Sequence, residues 1–183
     1  MSARLTLVLG GIRSGKSAFA ESLVPDDGRS VVYVATGQAG DEEMSERIRR
    51  HRDRRPSNWQ TLEAPLDPGA ELSKLLASSC DNPAVLVDSL DVWLANLLLE
   101  HEPEEFSQIE NLASAGLEAL LSGCREADAF TVLVSSEVGL SPVSPNRLGR
   151  RFQDLLGTAN QRAAAAADQV YLVVAGIPMQ IKP

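Results

Sequence analysis

Sorted only into apolar and polar positions, the chain alternates two kinds of segment. Short apolar runs, Leu5 to Leu9, Val31 to Ala35, Ala84 to Val87, Phe130 to Val134 and Val170 to Ala175, contain almost no polar residue. That is the pattern of parallel strands covered on both faces. Between them the apolar residues recur every three or four positions, which predicts helices. Lys16 to Leu23 turns Phe19, Ala20 and Leu23 to one side, and Asp67 to Ser79 turns Leu72, Leu75 and Leu76. Leu90 to Glu100 is apolar almost all round, with Trp93, Leu94, Leu97 and Leu98, which predicts deep burial or contact with another subunit. Glu104 to Leu121 carries the stripe Phe106, Ile109, Leu112, Ala113, Leu117, Leu120, and Arg147 to Ala167 ends in an alanine run that favours helix. Trp59 to Leu62 predicts a short strand ending at Glu63, and Gly176 to Lys182 a short edge strand. His101 reads as an exposed linker residue, and Trp59 as a core residue rather than a ligand platform. Val138 to Pro145, rich in Gly, Ser and Pro, reads as a loop or lid.

Strands alternating with helices predict an α/β fold, a three-layer sandwich around a mostly parallel sheet, in a single domain over residues 1–183. In such sheets ligands gather at the carboxyl ends of the strands. The residues leaving the strands there are Gly10, Thr36, Glu63, Asp88 and Glu137. The order of elements therefore predicts one pocket lined from five strands.

The first of these exits carries the strongest motif. Gly10-Gly11-Ile12-Arg13-Ser14-Gly15-Lys16-Ser17 follows a strand and opens a helix, which is the setting a P-loop requires. Its glycines let backbone amides close on a polyphosphate, and the helix start adds a positive dipole end. Lys16 is placed to reach the β- and γ-phosphates, and the Ser17 hydroxyl to ligate Mg²⁺. Ala84 to Asp88 is an apolar strand closing on a carboxylate, the shape of a Walker B segment. Asp88 is thus a candidate Mg²⁺ support, although an aspartate there can also cap the next helix. The expected fold is the P-loop NTPase type.

Composition narrows the setting. The 183 residues are 44% hydrophobic and 23% charged, in the range of folded globular chains, and suffice for one full core. A net charge of −8 argues against nucleic acid or anionic membrane as a general partner. The two cysteines, Cys80 and Cys124, have no metal-site spacing. Arg4 leads straight into a strand, and Asp88 and Asp91 interrupt the longest apolar stretch, so neither a signal peptide nor a membrane span is expected. The expected location is the cytoplasm.

Asp41 to Arg55 reads as a helix with acids in front, cations behind and Pro56 at its end. Met44, Ile48 and His51 fall at i, i+4 and i+7, so the imidazole shares the inward stripe, with Arg47 and Arg55 one turn to either side. Two readings stand side by side for this segment. It is a solvated, salt-bridged helix with an incidental histidine, or it is a cationic cradle around a reactive one.

Taken together, these stretches resemble one family, the bifunctional adenosylcobinamide kinase / adenosylcobinamide-phosphate guanylyltransferases. The resemblance runs through Gly10 to Ser17, Tyr33-Val-Ala-Thr36, Asp41 to Pro56, Trp59-Gln-Thr-Leu-Glu63, Asp88 to Leu98, Ser135-Ser-Glu-Val-Gly139 and Arg151 to Gln161. The segment from Glu43-Met44 through His51 to Trp59 is far more specific than the P-loop. What the resemblance implies is a kinase step, in which ATP or GTP phosphorylates adenosylcobinamide, and a second step, in which GTP passes GMP to adenosylcobinamide phosphate. His51 stands at the position of the nucleophile that carries GMP covalently. Val34, Ala35, Thr36, Arg52, Asp53, Arg54, Arg55 and Glu63 stand at the guanine nucleotide, and a homo-oligomer, a trimer, is implied. Departures from the family pattern are Asp88-Ser89-Leu90-Asp91, Ser136, and Ser141-Pro-Val-Ser-Pro145, the last on the corrinoid side. Two readings compete: a P-loop kinase of another small metabolite, with no histidine adduct, and a non-catalytic nucleotide switch using Val138 to Pro145.

Overall fold

A computed structural model describes residues 5–38, 46, 49, 56–77 and 82–183. Its elements run β1 (Leu5–Gly10), α1 (Lys16–Leu23), β2 (Val31–Ala35), β3 (Gln60–Glu63), α2 (Pro68–Leu76) and β4 (Ala84–Asp88). Then come α3 (Leu90–Glu100), α4 (Phe106–Glu126), β5 (Phe130–Ser136), α5 (Arg147–Ala166), β6 (Gln169–Val174) and β7 (Ile177–Lys182). The seven strands form one sheet in the order β3-β2-β4-β5-β1-β6-β7. The first six in chain order are parallel, and β7 pairs antiparallel with β6. The expected α/β sandwich with a mostly parallel sheet is present.

The nearly unbroken apolar runs have a direct cause, because successive side chains of a strand point to opposite faces. Leu7 and Leu9 enter a large core shared with α2 to α5, while Val8 enters a smaller core with Ala20 of α1. Tyr33, Leu86, Val132, Val134 and Val173 complete the smaller one. Both faces of the central strands are thus dry, and the sheet is the middle of three layers.

Helix ends follow local chemistry. Asp67 accepts a hydrogen bond from the Ala70 amide at 3.0 Å with Pro68 just inside the helix, and Asn146 caps α5 through the Gly149 amide at 2.6 Å. His101, expected as an exposed linker, is half-buried at the end of α3 and holds Glu104 at 2.8 Å through Nδ1. Trp59 packs against the smaller core at 6.4 Å from the Tyr33 ring, as a core residue should. Helix α4 runs five residues past its expected end at Leu121, and Leu112, expected in its buried stripe, is 43% exposed. The expected helix over residues 41–55 lies outside the described residues except Glu46 and Arg49. Both of those are helical and pair at 2.6 Å. No helix among the described residues is long and apolar enough to cross a membrane.

Candidate functional site

The carboxyl ends of five neighbouring strands meet along one edge of the sheet. Register places Ala35 beside both Asp88 and Glu63, and Gly10 beside Ser136. The Glu137 amide then donates to the Gly10 carbonyl at 3.2 Å. Glu63, Thr36, Asp88, Glu137 and Gly10 therefore leave the sheet together, as the order of elements predicted.

At that edge the chain turns sharply from β1 into α1. The Ser14 amide donates to the Gly11 carbonyl at 3.2 Å, and the helix opens with Phe19 N to Gly15 O at 3.0 Å. Gly15 has φ of 93°, a left-handed conformation that glycine adopts without strain, and Arg13 is left-handed as well at φ 57°. Gly10 serves another purpose. A Cβ there would meet the Val173 carbonyl at 2.7 Å and crowd Ser14 Oγ, so β6 and the loop close on a bare backbone. The loop is also tied to the β6–β7 turn, where the Gly176 amide donates to the Ser14 carbonyl at 2.8 Å. Ile12 stands 84% exposed at its apex. Lys16 reaches back along the loop, its Nζ 3.4 Å from the Gly11 carbonyl.

Across from the loop stands Asp88. Ser17 Oγ donates to Asp88 Oδ1 at 3.3 Å, and Tyr33 OH donates to Oδ2 at 2.6 Å. The tyrosine fixes one carboxylate oxygen and leaves the other beside the serine. Two hard oxygen donors side by side at a helix N-terminus suit Mg²⁺, which takes few protein ligands and completes its shell with phosphate and water. The residues present fit that ion.

Thr36 is fully buried, and its hydroxyl is already engaged. It accepts from the Ser89 amide at 2.8 Å and donates to the Ser89 carbonyl at 2.9 Å. Asn96 adds two bonds, from Nδ2 to the carbonyls of Thr36 at 2.8 Å and Pro65 at 3.1 Å. Val34 is buried in the core, Ala35 is half-buried and Glu63 exposed. His51, Arg52, Asp53, Arg54 and Arg55 lie outside the described residues.

Polar residues that sequence reasoning passed over complete this edge. Asn160 on α5 joins Ser135 Oγ at 2.7 Å and the Ser136 carbonyl at 2.9 Å. Ser136 Oγ donates to Asp91 Oδ2 at 2.7 Å, while Asp91 Oδ1 is buried with no hydrogen-bond partner among the described residues. The signal for Asp91 and Asn96 was their polarity inside an otherwise apolar helix.

Known proteins are similar to this chain over nearly its whole length. The family model described as "Cobinamide kinase / cobinamide phosphate guanyltransferase" matches residues 6–181. "Bifunctional adenosylcobalamin biosynthesis protein CobU" of Salmonella typhimurium is 40% identical over 97% of this chain and 99% of its own length. The protein of the same name from Escherichia coli is 39% identical over the same shares. "Bifunctional adenosylcobalamin biosynthesis protein CobP" of Pseudomonas aeruginosa is 44% identical over 96% of each chain. With a P-loop, a facing carboxylate and a match across nearly its whole length, the chain belongs to the cobinamide kinase / cobinamide phosphate guanyltransferase family.

Proposed function

We propose that this chain phosphorylates adenosylcobinamide from ATP or GTP and then transfers GMP from GTP to the resulting phosphate, giving adenosylcobinamide-GDP. In the first step the aminopropanol hydroxyl attacks the γ-phosphorus, the bond to the β-phosphate oxygen breaks, and the hydroxyl proton is lost. Such a reaction asks the protein mainly for position and charge. The loop Gly10 to Ser17 supplies amides, Lys16 supplies a cation, and the start of α1 supplies its dipole. Ser17 and Asp88 would hold Mg²⁺, which would offset the charge of the phosphates. The observation carrying this half is the Ser17–Asp88 contact at the mouth of the loop.

The second half is assigned to His51 from the family pattern of its segment. Neutral imidazole attacks the α-phosphorus of GTP and pyrophosphate leaves, forming a phosphoramidate. An oxygen of adenosylcobinamide phosphate then attacks that phosphorus, the imidazole leaves, and a diphosphate bond results. Arg52, Arg54 and Arg55 would disfavour the imidazolium and neutralise charge building on the phosphates. Val34, Ala35, Thr36, Asp53 and Glu63 are assigned to the guanine nucleotide from the same pattern. Kinship also supports a homo-oligomer, and Ile177, Met179 and Ile181, exposed on edge strand β7, offer a surface for a second copy.

The test is incubation with α-labelled GTP and Mg²⁺, then denaturation. The expected result is a protein-bound label, acid-labile and base-stable, that is absent from His51→Ala while phosphorylation of cobinamide continues. A label that survives His51→Ala, or a wild-type protein that takes no label, overturns the assignment.

A further inference from the structure

A large cleft lies beside the P-loop rather than in it. It is an open cleft of about 450 Å³ between the loop after β5 and one face of α5, with Leu9 and Ala164 among its lining. Leu9 immediately precedes Gly10, and Glu137, which also lines the cleft, donates its amide to the Gly10 carbonyl. The cleft and the phosphate loop therefore share a wall.

Its far wall is already braced. Gln153 accepts from the Ser144 amide at 2.8 Å and donates to the Pro142 carbonyl at 3.0 Å, and Arg150 donates to the carbonyls of Ser144 and Pro145. These bonds hold the segment after β5 against α5, so the cleft is formed before anything enters it. Val143, in that lining, is 77% exposed, and its neighbour Leu140 is 83% exposed. Val143 therefore puts apolar surface on the wall of the cleft.

Gly157 is the telling residue. It sits in the middle of α5, where glycine costs helix stability relative to alanine. A Cβ added there would meet nothing within 4 Å, so packing does not require the bare backbone. Gly157 lines the cleft, and Asp154 and Gln161 flank it on the same helical face. The side chains of Asp154 and Gln161 are both exposed beside it.

We propose that this cleft is the acceptor subsite, in which an edge of the corrin ring lies against the helix at Gly157. Its carboxamide arms pair with Asp154 and Gln161. The inference deepens the kinase reading above and rests on it. A corrin ring is flat and apolar on its faces and rimmed with primary amides, which need both a close-approach surface and mixed donors and acceptors. The volume is too small for a whole corrinoid. It takes the aminopropanol arm and one edge of the ring, with the arm directed past Leu9 toward the phosphate loop.

Cobinamide absorbs visible light, so its binding can be followed by equilibrium dialysis without turnover. Wild type, Gly157→Ala and Gly157→Leu are compared for cobinamide affinity, nucleotide KM and thermal midpoint. The expected result for Gly157→Leu is at least a tenfold rise in the cobinamide Kd, with nucleotide KM within twofold and a thermal midpoint unchanged or raised. Gly157→Ala should fall between the two. Unchanged cobinamide affinity in Gly157→Leu overturns the subsite. If that variant does not fold, the exposed pair Asp154→Leu with Gln161→Leu replaces it under the same criteria. A wild-type protein that neither binds nor phosphorylates cobinamide overturns the activity itself, a result recognisably different from a silent Gly157.

Discussion

Ser17 and Asp88 are separated by 71 positions in the chain, yet the serine hydroxyl stands 3.3 Å from the aspartate Oδ1. The strand order makes this possible by setting β5 alone between β1 and β4. Tyr33 holds the other carboxylate oxygen at 2.6 Å, so the geometry of Asp88 is fixed from β2 as well. Asp88→Asn keeps the shape and removes the charge. We expect kinase kcat/KM to fall about a hundredfold, the scale of losing one electrostatic contact to the transferring phosphoryl group. The Mg²⁺ concentration for half-maximal rate should rise in parallel. Initial rates across a Mg²⁺ titration decide it, and an unchanged titration curve would remove Asp88 from ion support.

Gly10 and Gly11 are neighbours with opposite constraints. A Cβ at Gly10 collides with the Val173 carbonyl and Ser14, whereas one at Gly11 meets nothing within 4 Å. Gly10→Ala should therefore destabilise by about 1–3 kcal/mol, the usual scale of forced overpacking. It should weaken nucleotide binding as the loop is pushed off β6. Gly11→Ala should unfold at the wild-type temperature. Thermal unfolding of the two variants side by side provides the comparison, and equal midpoints would refute the packing argument.

Local pattern was enough to reveal the strands, the loop between β1 and α1, and the convergence of strand ends, because each follows from residues close in sequence. What it could not reveal depends on distant partners. Helix α4 is expected to stop at Leu121, just past Leu120, the last position of its expected apolar stripe. In the fold Gly123 lies against α2, where a Cβ would press on Ser73 Oγ at 2.6 Å, so a small residue is what lets the two helices approach. Leu112 shares the period of the buried stripe but falls at its solvent edge, while Leu121 and Cys124 extend the stripe further along. Likewise Asp91 finds Ser136 across 45 positions and Asn160 finds Ser135 across 25, pairings that no local period encodes.

Cys124 gives a pH-dependent expectation. Burial against the large core pushes its thiol from the ordinary 9.0 up to about 11. The neutral form is therefore favoured in the folded state. The resulting stability is fully present below about pH 9 and is lost as pH rises toward 11. At pH 8 the folded protein should leave Cys124 unalkylated by iodoacetamide over a time that fully modifies it in urea, since the thiolate is the nucleophile. Peptide mass spectrometry reads this site by itself. Rapid modification of Cys124 in the native protein would contradict its burial.

Thr36 is expected at the nucleotide, and its hydroxyl bridges both backbone groups of Ser89, the residue after Asp88. Its amide also donates to the Asp88 carbonyl at 3.3 Å, so the ends of β2 and β4 are stitched together at the point where the carboxylate emerges. Thr36→Val keeps the shape but leaves the Ser89 amide unpaired in a dry site, while the Ser89 carbonyl keeps the Trp93 amide at 3.1 Å. Leaving buried polar groups unpaired costs about 1–3 kcal/mol each. We expect a lower denaturant midpoint and a reduced kinase kcat as Asp88 loses its frame, with Thr36→Ser restoring most of both. A direct nucleotide contact predicts something else, a raised nucleotide KM with an unchanged midpoint. Denaturant unfolding and steady-state kinetics on the same preparations separate the two roles, because a nucleotide contact leaves the midpoint untouched and the stitch at Ser89 does not.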